Sequence, residues 1–199
     1  MQHKSLHFPR TNSPYFGELV SRFLRGELGG IGQVDPYLVA MLYAGDRWGA
    51  SGTISSWLQE GNVVLLDRYV YSNVAYQCAK LNDSAQRASL REWILRLEYE
   101  HFAIPRPDVS IFLDVPFSFT ASKLAQQREG ADRSYLSGAK DIHEEDLPFQ
   151  ERVRGVYLEQ LALDDRFSVV SCCGSDGSME APSSIFDRIW ERVEPLLPK

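Results

Sequence analysis

The chain has 199 residues, 44% of them hydrophobic and 24% charged, the balance of a protein that buries a real core in one domain or at most two small ones. Its formal net charge of -6 and pI near 5.3 argue against non-specific attraction to nucleic acid or anionic membranes. No apolar run approaches a membrane span and the N-terminus lacks a signal-peptide core, so the chain reads as cytoplasmic.

Taken in order, helices alternate with short apolar runs, the pattern of a parallel sheet covered by helices. Leu6 to Phe8 ends a first strand. Ser13 and Pro14 read as an N-cap and first turn, Phe16, Leu19, Val20, Phe23 and Leu24 recur at helical spacing, and Gly26 stops the helix. Asp35 and Pro36 open a second helix, and a further helical turn spans Ile54 to Leu58 and ends at Gly61. Val63 to Leu66 has the composition of a buried parallel strand. Ser84 to Phe102 predicts a long helix with Leu90, Trp93, Ile94 and Leu97 inward, broken by Pro105 and Pro107. A strand at Val109 to Leu113 and a helix at Ser118 to Gln127 follow. Residues 130 to 146 have no periodicity and read as a mobile loop. Leu147 to Leu163 is helical, Phe167 to Ser171 a last strand and Pro182 to Leu197 a last helix.

The three cysteines, Cys78 and the neighbours Cys172 and Cys173, read as reduced thiols, since adjacent cysteines rarely bridge. The cations are skewed, with 16 Arg against 5 Lys. A guanidinium fork suits phosphate oxygens, although base composition of the genome gives the same skew. His143-Glu144 lacks the second histidine of a zinc-protease helix, since Leu147 stands there. Cys172-Cys173 has no partner ligands at zinc spacing.

Five constellations carry possible chemistry. Asp67-Arg68-Tyr69 follows a predicted strand directly, where parallel sheets bind ligands. There Arg68 can reach a phosphoryl group, and Asp67 can orient Arg68 or a hydrated magnesium ion, unless the two form a structural ion pair. Tyr43 and Arg47 lie four residues apart on one helical face, able to stack on a base and bond its edge. Arg10 stands just past a strand, and Ser72 and Tyr76 share a face of the next helix. The loop with Arg128, Arg133 and Tyr135 could close over a transferring group, or be solvated with no role.

Together, Phe8-Pro9-Arg10-Thr11, Met41 to Trp48, Asp67 to Ser72, Ala75-Tyr76 and the loop through Arg133 and Tyr135 to Phe149-Gln150 resemble the thymidylate kinase family in order and spacing. The resemblance implies an α/β, P-loop-kinase-like parallel sheet flanked by helices, in a single domain over residues 1–199 with a lid at about 128–146. It implies transfer of the γ-phosphoryl of ATP to dTMP, with Mg2+, in a homodimer. By the same resemblance Tyr43 and Tyr76 flank the thymine, Arg47 bonds its edge, and Ser72 lies with them. Arg10 and Arg68 hold the dTMP phosphate. Asp67 orients Arg68 and the metal's water shell, and Arg128 and Arg133 act from the lid. Tyr69 stands where deoxynucleoside kinases usually show serine.

The family pattern opens with a strand, a Gly-rich loop and a helix. No G-x-x-x-x-G-K-[ST] occurs in the 199 residues, and Gly26 to Gly32 lacks the lysine. The match begins at the family's second strand, so roughly 30 to 40 residues of the pattern, a strand–loop–helix unit, have no counterpart, including the central first strand. Two expectations follow: the chain is the later part of a longer kinase, or Val63–Leu66 and Val109–Leu113 pair directly in a rearranged sheet. A dTMP-binding or scaffolding homologue without turnover, and a kinase with another acceptor, stay open as alternatives.

Overall fold

The structure is a computed structural model that describes residues 2–125 and 146–197. Among these lie four strands and seven α-helices, in the order β1 (His3–His7), α1 (Phe16–Leu24), α2 (Pro36–Gln59), β2 (Val63–Asp67), α3 (Val70–Cys78), α4 (Ser84–Arg96), β3 (Ser110–Asp114), α5 (Phe117–Ala125), α6 (Leu147–Gln160), β4 (Phe167–Ser171) and α7 (Pro182–Val193). A π-helical turn, Leu97–His101, continues α4, and a 3-10 turn, Glu194–Leu196, follows α7. The chain is α/β with parallel strands: β1 pairs with β2, and β3 with β4. Among the described residues the strands form two two-stranded sheets, one in each pairing.

The described residues fall into two compact units, 2–106 with 146–153, and 107–125 with 154–197. In the first unit, β1 and β2 lie in register from His3 against Val63 to His7 against Asp67. Leu6, Val64, Leu66 and Tyr69 pack on buried Phe8, Ala50 and Ile54. A second cluster joins Val20, Phe23 and Leu24 of α1 to Val39 of α2. In the second unit, Val170, Cys172 and Ile185 form the centre, with Ile111 and Ile189 against them. There Arg154 grips Asp114 at the end of β3 through two bonds of 2.5 and 2.8 Å. All three cysteines are free thiols.

Several elements differ from expectation for identifiable reasons. Ser13 does not cap α1; its hydroxyl donates to Asp46 at 2.9 Å, and the helix begins only at Phe16. The caps at Asp35 and Gly61 form as predicted: Asp35 Oδ1 accepts from the Tyr37 and Leu38 amides, and Gly61 takes a positive φ of 76°. Between them α2 runs as one helix through Ile54 to Gln59 rather than two. Gly45 lies inside it because α1 crosses there: a Cβ would sit 2.4 Å from the Phe16 ring. On α4 and the π turn after it, Glu98, four residues beyond Ile94, is buried on one stripe with Leu90 and Ile94, while Leu97 is half-buried. β2 is less covered than its composition suggests, with Leu65 64% exposed, because its sheet has two strands.

Candidate functional site

The predicted residues that the structure describes lie in the first unit, on or beside β1, α2, β2 and α3. β2 ends at Asp67, and the chain turns sharply into α3 through Arg68, whose φ is +62°. A non-glycine residue held in the left-handed region costs of order 1–3 kcal/mol, and such strain concentrates where function requires a side chain to be aimed. The Arg68 guanidinium lies over the Tyr76 ring, 4.8 Å from its centroid, and Tyr76 meets Phe149 edge-on at 6.1 Å. Asp67, 75% exposed, takes a 2.9 Å contact with His7 Nδ1 across the β1–β2 pair.

Arg10 follows β1 and the cis Phe8–Pro9 bond. Its backbone amide and Nε donate to the Asp46 carboxylate at 2.7 and 3.0 Å, and Nη2 donates to the Asp46 carbonyl. Asp46 is 1% exposed, so this is an anchored turn rather than a loose surface arginine. The next residue on α2, Arg47, is 2% exposed. Its Nε and Nη2 donate to the two oxygens of Glu98 at 2.5 and 2.7 Å. Burial alone would lower the Arg47 pKa, but the Glu98 carboxylate outweighs it and leaves it raised. Arg47 is thus a deep, ion-paired residue.

Glu98 is wholly buried and also accepts from Asn73 Nδ2 at 3.0 Å. Asn73 Nδ2 donates a second bond to the Ala40 carbonyl at 2.9 Å. Tyr69 donates its hydroxyl to the Pro105 carbonyl at 3.0 Å and stacks at a tilt on Phe8. Burial pushes the Tyr69 phenol well above its ordinary range. Tyr43 packs with the α1–α2 cluster, and Ser72 sits half-buried in the first turn of α3.

Of the predicted residues, Arg10, Tyr43, Arg47, Asp67, Arg68, Ser72 and Tyr76 therefore all belong to one compact unit. Arg128, Arg133 and Tyr135 lie outside the described residues. Sequence reasoning passed over Asp46, Asn73 and Glu98. Asp46 was legible beside Arg47, but which arginine it would serve was not. Glu98 stands at helical spacing from Leu90 and Ile94, but its charge gave no reason to expect it on a buried stripe. Among the described residues no cluster of His, Cys, Asp and Glu could hold a metal directly, and no helix is long and apolar enough to cross a membrane.

Known proteins resemble this chain over most of its length. The family model for thymidylate kinase matches residues 2–175. The chain is 33% identical over 158 residues to the thymidylate kinase of Mycobacterium tuberculosis, covering 79% of this chain and 71% of that protein. The thymidylate kinase of Dictyostelium discoideum is 27% identical over 192 residues, covering 96% and 73%. A solved structure of thymidylate kinase from Candida albicans superposes with a TM-score of 0.68 at 22% identity, over 97% of this chain and 80% of that one, a likeness of fold. The nucleoside monophosphate kinase chemistry is supported for this family as a whole. The chain belongs to the thymidylate kinase family.

Proposed function

We propose that the chain provides the acceptor side of a dTMP kinase, which transfers the γ-phosphoryl group of ATP to dTMP. An oxygen of the dTMP phosphate attacks the γ-phosphorus, the bond to the β-phosphate oxygen breaks, and dTDP and ADP leave. A dianionic acceptor and a highly charged donor repel, so catalysis here is positioning plus charge neutralisation. The observation that carries the reading is Arg68, held at φ +62° at the carboxyl end of a parallel strand with its guanidinium over Tyr76.

In this reading Arg68 and Arg10 hold the acceptor phosphate, with Arg68 nearest the reaction. Tyr43 and Tyr76 flank the thymine, with Ser72 beside them. Arg47 offers the base edge those of its five N–H donors that do not go to Glu98. Arg128 and Arg133 act from a lid at about 128–146 that also carries Tyr135. Bound magnesium would offset charge on the donor phosphates. The exposed Asp67 carboxylate fits an ion held through its water shell. We further propose that residues 1–199 belong to one kinase domain working in the cytoplasm as a homodimer. A second reading is dTMP binding without turnover.

The test is calorimetric titration of the chain with dTMP, dUMP and thymidine, beside a coupled assay of dTMP-dependent ATP consumption. The expected result is preference for dTMP over thymidine, lost on Arg10→Ala or Arg68→Ala. Folded protein that binds dTMP no better than thymidine, or binds neither, refutes the acceptor site. ATP consumption that depends on dTMP refutes the second reading.

A further inference from the structure

Asp46 is a carboxylate on α2 that is 1% exposed, and its hydrogen-bond donors come from the turn that follows β1. A buried charge is costly unless donors surround it. The Arg10 amide donates to Oδ2 at 2.7 Å, and Arg10 Nε and the Ser13 hydroxyl donate to Oδ1 at 3.0 and 2.9 Å. Arg10 Nη2 donates to the Asp46 carbonyl. One residue of a long helix thus holds the backbone and the side chain of Arg10 together, and the Ser13 amide closes the turn on the Arg10 carbonyl at 2.8 Å. The helix also makes room. Gly49 stands three residues after Asp46, and a Cβ there would sit 3.0 Å from Arg10 Nη2. Glycine inside a helix is unfavourable, and space for this guanidinium gives it a reason.

A guanidinium is planar and carries five N–H donors in a fixed fork. With the Nε and Nη2 side on Asp46, Nη1 is left at the other end. The Arg10 side chain is 26% exposed, and its Nη1 has no partner among the described residues. We propose that Asp46 is a positioning residue for the acceptor phosphate: it aims the Nη1 end of Arg10 at a phosphate oxygen, and Gly49 keeps open the space this pose needs. The inference rests on the proposed acceptor site. Asp46 touches no substrate; it acts through Arg10. Because the arginine is already held, a phosphate binds it without first ordering a long side chain. Asp46→Asn keeps the size but turns one acceptor into an NH2 group. That group faces either the Arg10 amide or the Arg10 Nε–H, donor against donor, so the turn and the guanidinium cannot both stay in place.

The experiment is calorimetry with dTMP and thymidine on wild type, Asp46→Asn, Arg10→Ala and the double variant, with near-ultraviolet circular dichroism to establish that each is folded. The two ligands differ only in the phosphate, so the ratio of their affinities isolates the phosphate contact. The expected result is that this ratio falls by roughly tenfold in Asp46→Asn, the loss of one charge-assisted hydrogen bond, while thymidine binds as it does to wild type. In the double variant the ratio should equal that of Arg10→Ala alone, because Asp46 acts through Arg10. Gly49→Ala gives a second variant if Asp46→Asn folds poorly. Its Cβ meets only the far end of the Arg10 side chain, so the helix tolerates it, the guanidinium moves, and the same ratio should fall. A purely structural role weakens both ligands alike and overturns the inference. A folded variant with the wild-type ratio, or a further fall in the double variant, overturns it too, and each of these leaves the acceptor site standing. Wild-type protein that binds dTMP no better than thymidine overturns both.

Discussion

The buried pair Arg47–Glu98 allows a stability prediction worked from geometry. The side chains are 2% and 0% exposed and joined by two charge-assisted bonds of 2.5 and 2.7 Å. Removing one partner of such a pair strands a charge in a medium that cannot solvate it, at a cost of about 3–5 kcal/mol. Replacing both by apolar side chains of similar size is often neutral or stabilising. Glu98→Leu and Arg47→Met should therefore each lower stability by about 3–5 kcal/mol, a large share of a total of about 5–15. The double variant should lie close to wild type. With a urea slope of about 2 kcal/mol per molar, each single variant shifts the unfolding midpoint down by about 1.5–2.5 M. Tryptophan fluorescence reports on the right unit, since Trp48, Trp57 and Trp93 belong to it. Single variants within about 1 kcal/mol of wild type, the range of an exposed pair, would refute the reasoning. So would additive losses in the double variant, because the coupling is the quantity predicted.

Lys80 stacks its ammonium over the Phe23 ring, and burial lowers its pKa to about 7 against an ordinary 10.5. Above pH 7 the unfolded chain then holds more protons at this site than the folded one. Stability should rise with pH between about 7 and 10.5, by at most ~1.4 kcal/mol per unit, and Lys80→Met should remove that rise in pH-dependent urea melts. A Cβ on Gly17 would sit 2.1 Å from the Arg10 carbonyl oxygen and 2.5 Å from Ser13 Oγ. Gly17→Ala should cost about 1–3 kcal/mol and weaken dTMP binding by moving the turn that carries Arg10, as calorimetry would show. Gly52 lies inside α2 with nothing within 4 Å of a Cβ, so Gly52→Ala should instead stabilise by about 0.5–1 kcal/mol in the same melts. Tyr69 and Tyr99 are both pushed up by burial. Ultraviolet titration to alkaline pH should find two phenols that ionise only as the protein unfolds.

The caps and stops of the elements were legible because they are local. Asp35 before Pro36 is a helix start wherever it stands, since its carboxylate reaches the next two amides. Phe167–Ser171 was read with its true bounds, and Asp67-Arg68-Tyr69 was placed at a strand end by composition alone. Ser13 misled because its hydroxyl had two uses, capping α1 or binding Asp46, and only the approach of the Arg10 turn to α2 selects the second.

What the order of residues determined by itself was the α/β alternation and, through its resemblance, the family, because each rests on short-range pattern and chemical type. Which charges would be buried, and against whom, was decided by tertiary structure. Arg47 reads from sequence only as sharing a helical face with Tyr43, yet it lies in the interior, where Glu98, 51 residues later, meets it. A charge tolerates burial only beside its counter-charge, and no local rule states which distant residue the fold will bring there.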